Sequence, residues 1–287
     1  MSHIKKIVTL GLIQMQCDDD PKKNLATAIK KIQACAKKGA QIIVLPELFL
    51  SKYFCQEKNE KNFALAETIP GAATEILGQL AKENRLVIIC SLFEKKANKY
   101  FNTIAVIGTD GRVLGAYRKM HIPSLPPDLY AEDYYFEKGD KFKVFDTAYG
   151  KIGTLICYDQ WFPEAARYCA ALGAQILVYP TAIGWPLHDP QWKKNAEHEA
   201  WQITQRSHGI DSNVFVAAVN RVGLEKNMKF WGASFASDCY GRVIAKASSN
   251  KEENIIVKCD LGLIELMREE WPMLSERRIK VENQKIL

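Results

Sequence analysis

Three short segments occur twice in this chain, in the same order. Residues 6–10 read KIVTL and 151–155 read KIGTL; 39–46 read GAQIIVLP and 173–180 read GAQILVYP; 111–114 read GRVL and 241–244 read GRVI. A chain that repeats itself this way is expected to fold as two similar halves, about residues 4–119 and 150–249. Each half runs strand, helix, strand, helix and then further strands. A sheet with helices on one face only must bury its other face, and the sister sheet is the available cover. The expected fold is therefore an α/β, four-layer α-β-β-α sandwich, formed by one domain spanning residues 1–287. An open doubly wound sheet is the alternative. Pro123 to Phe145 reads as the linker between halves. Residues 261–287 read as a helix and tail outside the repeat, and the apolar Trp271, Met273, Leu274, Ile279 and Val281 there point to association into a homodimer or larger.

Other features narrow the function. No apolar run reaches the roughly 18 residues that cross a bilayer. The longest, Ala170 to Trp185, is interrupted by Gly173, Gln175 and Pro180. The first residues pass straight from two lysines into an alternating strand, without the apolar core of a signal peptide, so a cytoplasmic location and no membrane partner are expected. The net charge of +6 comes from scattered lysines with no basic run interleaved with aromatics, which argues against nucleic acid. Eight cysteines without a CxxC pair read as free thiols.

Superimposing the repeats in sequence sets Cys157 opposite Leu12 and Glu47 opposite Thr181. Each half thus carries one reactive group, at a strand end, where its counterpart is inert. Cys157 lies where an apolar strand stops and a helix begins with Pro163 and Glu164, a bend that exposes a nucleophile; taken singly, it could equally be a buried structural thiol. Glu47 closes IIVLP and could cap the next segment or act as a base. Lys119 closes another strand, in GAYRKMHIP.

Together, LPELF (45–49), YRKMHIP (117–123) and GTLICYDQWFPEAAR (153–167) resemble the nitrilase superfamily of carbon–nitrogen hydrolases over nearly the whole chain. The resemblance implies the same four-layer fold and a Glu47–Lys119–Cys157 triad. It also maps a second glutamate onto Glu132, in YAEDYYFEKGD. Within the family, ELFLSKYFCQ, YPTAIGWP, VAAVNRVG, FWGASF and EEWPMLSERR resemble the subgroup acting on N-carbamoylputrescine. β-Ureidopropionases share part of these, and they and ω-amidases remain alternatives. A silent nitrilase-fold binding module is the non-enzyme alternative.

The resemblance implies that Cys157 attacks as thiolate with Glu47 as base. Lys119 and the Tyr158 backbone N–H hold the oxyanion. Tyr53, Trp161 and Glu132 support or contact the substrate, a small carbamoylated amine, and no metal or organic cofactor is required. Asp128, Glu132, Asp133 and Asp189, with Trp161 and Trp185, favour a cationic substrate end; Arg206 and Arg221 would suit a carboxylate. His121 offers a Cys–His alternative. His198 and His208, ten residues apart on one helix, read as packing residues. Asp18 to Asp20 read as a helix cap.

Overall fold

The computed structural model describes residues 5–126 and 128–278. The chain begins with β1 (Ile7–Gln14), α1 (Pro21–Lys37), β2 (Ile42–Val44), α2 (Ala72–Asn84), β3 (Val87–Lys96), β4 (Lys99–Ile107) and β5 (Val113–Arg118). Then come a short α3 (Glu132–Tyr135), β6 (Lys143–Thr147), β7 (Gly150–Thr154), α4 (Pro163–Ala171), β8 (Ile176–Thr181) and β9 (Gly184–Pro186). The chain continues through α5 (Gln191–Ser212), β10 (Phe215–Asn220), β11 (Val222–Glu225), β12 (Met228–Trp231), β13 (Phe235–Ser237) and β14 (Val243–Lys246). β15 (Glu253–Asp260) and α6 (Gly262–Glu270) complete it.

One sheet has the order β15-β1-β2-β3-β4-β5 and the other β14-β13-β10-β8-β7-β6, so the two correspond strand for strand. Each needs a strand from outside the sequence repeat. β6 begins inside the segment read as linker, and β15 returns to pair antiparallel with β1. A small third sheet, β11-β12-β9, lies beside them.

Alternation along the strands sorts the core. Val8, Leu10, Leu12, Ile42, Val44, Ile89 and Val106 of the first sheet join Ile152, Ile176, Val178 and Val216 of the second in one buried cluster. The opposite face of the first sheet, with Ile13, Ile43, Ile88 and Ala105, packs against Ala28, Ile32 and Cys35 of α1 and Leu77 and Ala81 of α2. α4 and α5 cover the second sheet, giving the four layers. α1 starts as its sequence dictates. The Asp20 carboxylate accepts from Lys22 N at 2.9 Å, and Pro21 occupies the first turn.

The register corrects one sequence superposition. Leu10, Gly11 and Leu12 pair with Ile42, Ile43 and Val44, while Ile152, Gly153 and Thr154 pair with Ile176, Leu177 and Val178. Since GAQI recurs in step, Gly11 and not Val8 is the spatial counterpart of Gly153. Both glycines admit a close helix: a Cβ at Gly11 would lie 2.9 Å from Cys35 Cβ, and one at Gly153 would lie 2.9 Å from Cys169 Cβ. KIVTL and KIGTL are therefore out of step by three residues, an odd shift that would turn each strand inside out. The counterpart of Cys157 is Met15, not Leu12.

Candidate active site

Cys157 stands just beyond β7, at the start of a single 3₁₀ turn, Cys157–Trp161, which precedes α4. Its φ of +40° is a left-handed conformation unfavourable for a residue with a Cβ. The bend is held from beneath by Asp159, which is fully buried. Asp159 Oδ2 accepts from Ile156 N at 2.8 Å and from the Tyr117 hydroxyl at 2.7 Å. Its Oδ1 accepts from His121 N at 3.1 Å and lies 2.8 Å from His121 Nδ1. The His121 ring stacks on Phe162, centroids 3.6 Å apart. His121 therefore braces the Cys157 turn through Asp159 and Phe162 instead of forming a Cys–His pair.

Glu47 follows β2, and the next residue, Leu48, has φ +49°. Two sets of contacts secure this second strained turn. Leu48 N donates to Ser91 Oγ at 3.0 Å, Ser91 Oγ to Asn102 Oδ1 at 3.1 Å, and Asn102 Nδ2 to Glu47 Oε1 at 2.7 Å. The buried Arg221 donates to the carbonyls of Glu47 at 2.7 Å, Leu48 at 3.1 Å and Ser51 at 3.1 Å, and pairs with Glu225 at 3.1 Å. Glu225 in turn accepts from Tyr53 N at 2.6 Å. Arg221 is thus a scaffold for the Glu47 loop, not a receptor for a substrate carboxylate.

Lys119 comes one residue after β5 and is fully buried. Its Nζ donates to Glu47 Oε1 at 2.8 Å and to Glu132 Oε2 and Oε1 at 2.7 and 2.9 Å. The Tyr53 hydroxyl donates to Glu132 Oε1 at 2.7 Å. Burial works against the Lys119 ammonium, but Glu132 and Glu47 hold its pKa well above the usual lysine value. Burial pushes Glu132 up to about 7, with Glu47 adding to the rise and Lys119 and Tyr53 opposing it. The Cys157 thiol is also pushed well up, by burial and then by the Glu47 charge, against the pull of Lys119. The Cys157 side chain is accordingly held as a neutral thiol. Glu47 Oε2 is buried and has no hydrogen-bond partner among the described residues, which leaves it open to receive a proton.

A cleft of about 260 Å³ opens over this group, with Cys157 and Glu132 in its lining. Tyr158 and Trp161 line it, as do Tyr130, Trp231 and, on α5, Lys193 and Glu197. Tyr53 lies behind it as the partner of Glu132. The other acids singled out in the sequence fall elsewhere. Asp128 and Asp133 are exposed outside the lining, and Asp189 hydrogen-bonds Lys193 at 2.9 Å. Trp185 donates to Lys194 O at 2.8 Å and packs on Trp231. Arg206 donates to Gly241 O at 2.7 Å. Among the described residues no arginine lines the cleft.

His208 Nε2 lies 2.8 Å from Gln160 O, and His198 sits among Trp185, Trp201 and Trp231. Of the apolar tail residues, Leu274 and Met273 pack into this chain's own core, Trp271 is exposed beside Tyr240, and Ile279 and Val281 lie outside the described residues. All eight cysteines are free and buried, and no helix among the described residues is long and apolar enough to cross a membrane.

Comparison with known proteins gives a consistent result. The family description "Carbon-nitrogen hydrolase" matches residues 9–269. The N-carbamoylputrescine amidase of Solanum lycopersicum is 41% identical, covering 97% of this chain and 94% of that protein. A citrullinase of Francisella tularensis is 38% identical, covering 97% and 96%. The crystal structure of a carbon–nitrogen hydrolase from Helicobacter pylori G27 superimposes with a TM-score of 0.91 at 38% identity, covering 95% of this chain and 96% of that one.

Proposed function

The chain belongs to the carbon–nitrogen hydrolase family, and on that premise we propose that it hydrolyses N-carbamoylputrescine to putrescine, carbon dioxide and ammonia through a thioester on Cys157. The reading of Cys157 as nucleophile is carried by the unpaired Glu47 Oε2 in a buried site whose thiol is held protonated. A thiol that rests neutral needs a base at the moment of attack. Glu47 takes the Sγ proton as sulfur bonds to the ureido carbonyl carbon. The carbonyl π pair moves onto oxygen, where the Lys119 ammonium and the Tyr158 backbone N–H receive the negative charge. The tetrahedral adduct collapses with cleavage of the bond to the putrescine nitrogen, which leaves with the proton from Glu47. Water, deprotonated by Glu47, then attacks the S-carbamoyl carbon; the C–S bond breaks, and the departing Cys157 sulfur takes the proton back from Glu47. The carbamate released breaks down to carbon dioxide and ammonia.

Choice among ureido substrates rests on charge. Glu47 and Glu132 set two carboxyl groups against the single Lys119 ammonium beside a neutral thiol, which disfavours a substrate carboxylate in the same cleft. Arg206 and Arg221, the groups that would favour β-ureidopropionate, are engaged elsewhere. The test is a parallel assay of ammonia and amine release from N-carbamoylputrescine, β-ureidopropionate, citrulline and an ω-amide. N-carbamoylputrescine is expected to give the highest kcat/KM, and a higher value for β-ureidopropionate overturns the substrate assignment.

A further inference from the structure

The cleft has charged groups at two places. One is the Cys157–Glu132 centre; the other is the start of α5, where Lys193 and Glu197 stand one helical turn apart. Between them the lining is apolar and aromatic, with Tyr130, Trp161, Ile183 and Trp231. Such a wall suits an alkyl chain. The two α5 residues are not equivalent. Lys193 Nζ is hydrogen-bonded to Asp189 at 2.9 Å, and that carboxylate is largely buried. Glu197 approaches the same ammonium only at 3.6 Å, beyond hydrogen-bond range. Asp189 thus takes the hydrogen bond of Lys193 while Glu197 makes only the longer ion pair, so two carboxylates share one ammonium and this part of the cleft keeps a net negative charge.

We propose that Glu197 receives the distal ammonium of the substrate, with Asp189 holding Lys193 away from that role. The proposal deepens the functional reading above and rests on it. It assigns recognition of the far end of a carbamoylated diamine to a residue that takes no part in bond cleavage. A bound ammonium would sit between the Glu197 carboxylate and the faces of the neighbouring aromatics, both of which favour a cation.

The test compares N-carbamoylputrescine with N-butylurea, which has nearly the same length and the same ureido group but no charge. Wild-type enzyme and Glu197→Gln are assayed on both. In the wild type, N-carbamoylputrescine is expected to be preferred. In Glu197→Gln its kcat/KM is expected to fall by roughly five- to tenfold, mainly through KM, the scale of a partly exposed charge pair. N-butylurea is expected to change by less than about twofold, since the variant leaves the reacting centre untouched. Lys193→Met is expected to leave N-carbamoylputrescine turnover equal or improved. Equal losses on both substrates, or no loss on either, overturn the role of Glu197. A loss of N-carbamoylputrescine turnover in Lys193→Met also overturns it. The functional reading fails separately, if the wild-type enzyme does not prefer N-carbamoylputrescine over N-butylurea and β-ureidopropionate.

Discussion

Asn102 Nδ2 donates to Glu47 Oε1 at 2.7 Å, so the Glu47 carboxylate has one oxygen tied to β4 and Lys119 and the other unpaired among the described residues. In the proposed mechanism Glu47 accepts a proton twice in each cycle, and such a base benefits from this division. The bound oxygen fixes the plane of the carboxylate and the free one reaches the reacting atoms.

Asn102→Ala is therefore expected to lower kcat with little change in KM. A buried hydrogen bond to a charged group contributes about 1.5–3 kcal/mol, so a loss of roughly ten- to a hundredfold in kcat is expected. Steady-state kinetics check this. A rise in KM at unchanged kcat would show that Asn102 serves binding and not the orientation of Glu47.

Lys119→Ala removes the cation from between two buried carboxylates. The loss of an oxyanion partner is expected to cost about 10²–10³ in kcat, more than any change in KM. Stability is expected to fall as well, by about 3–5 kcal/mol at neutral pH, because two buried acids lose their counter-charge. Calorimetry at pH 5 and pH 8 is the check. The deficit is expected to shrink at pH 5, where Glu132, raised to about 7, can protonate, and an equal deficit at both values would refute the electrostatic explanation.

Tyr53→Phe tests the titration of Glu132. Burial raises this carboxyl to about 7, and the Tyr53 hydroxyl acts in the opposite direction by hydrogen-bonding the charged form. Removing that hydroxyl is expected to raise the pKa further, so the acid limb of kcat/KM moves to higher pH. The linked stability has a definite sign. A carboxyl whose folded pKa lies above its unfolded value binds more protons when folded, so its contribution is present below about pH 4.5 and is lost as pH rises through about 7. An acid limb that stays in place in Tyr53→Phe would assign it to another group.

Glu47, Lys119 and Cys157 were legible in the sequence because each ends a strand or sits at a strand-to-helix bend, and such signals span only a few adjacent residues. Their supports were not. Asn102 lies 55 residues from Glu47, and Arg221 reaches the Glu47 carbonyl across 174. The neighbourhood of Asn102 carries no local mark, and Arg221, although inside VAAVNRVG, reads as an available cation until its five acceptors are placed. Glu197 was hidden for another reason: in KKNAEHEA it looks like one more charge on a solvated helix face. The β1–β7 superposition was misleading because a match of lysine, isoleucine, threonine and leucine records composition at a strand entrance, whereas register is set by the glycines that admit α1 and α4.

Cys157→Ser is expected to fold as the wild type does and to lose nearly all turnover. The substitution keeps the small side chain and the same backbone demand at φ +40°, so a change in thermal midpoint of no more than a few degrees is expected. The chemical consequence is larger. Burial and the Glu47 charge already hold a thiol in its neutral form here, and a hydroxyl starts from a far higher pKa with no histidine beside it: His121 is engaged by Asp159. A carboxylate can take a proton from a thiol as sulfur attacks, but it is too weak a base to do the same for serine. Mass spectrometry of the wild type quenched during turnover of N-carbamoylputrescine is expected to show one added carbamoyl group, in the peptide containing Cys157 and absent from Cys157→Ser. Substantial activity in the serine variant, or a carbamoyl group mapped to another cysteine, would remove Cys157 from the mechanism while leaving the fold and family unaffected.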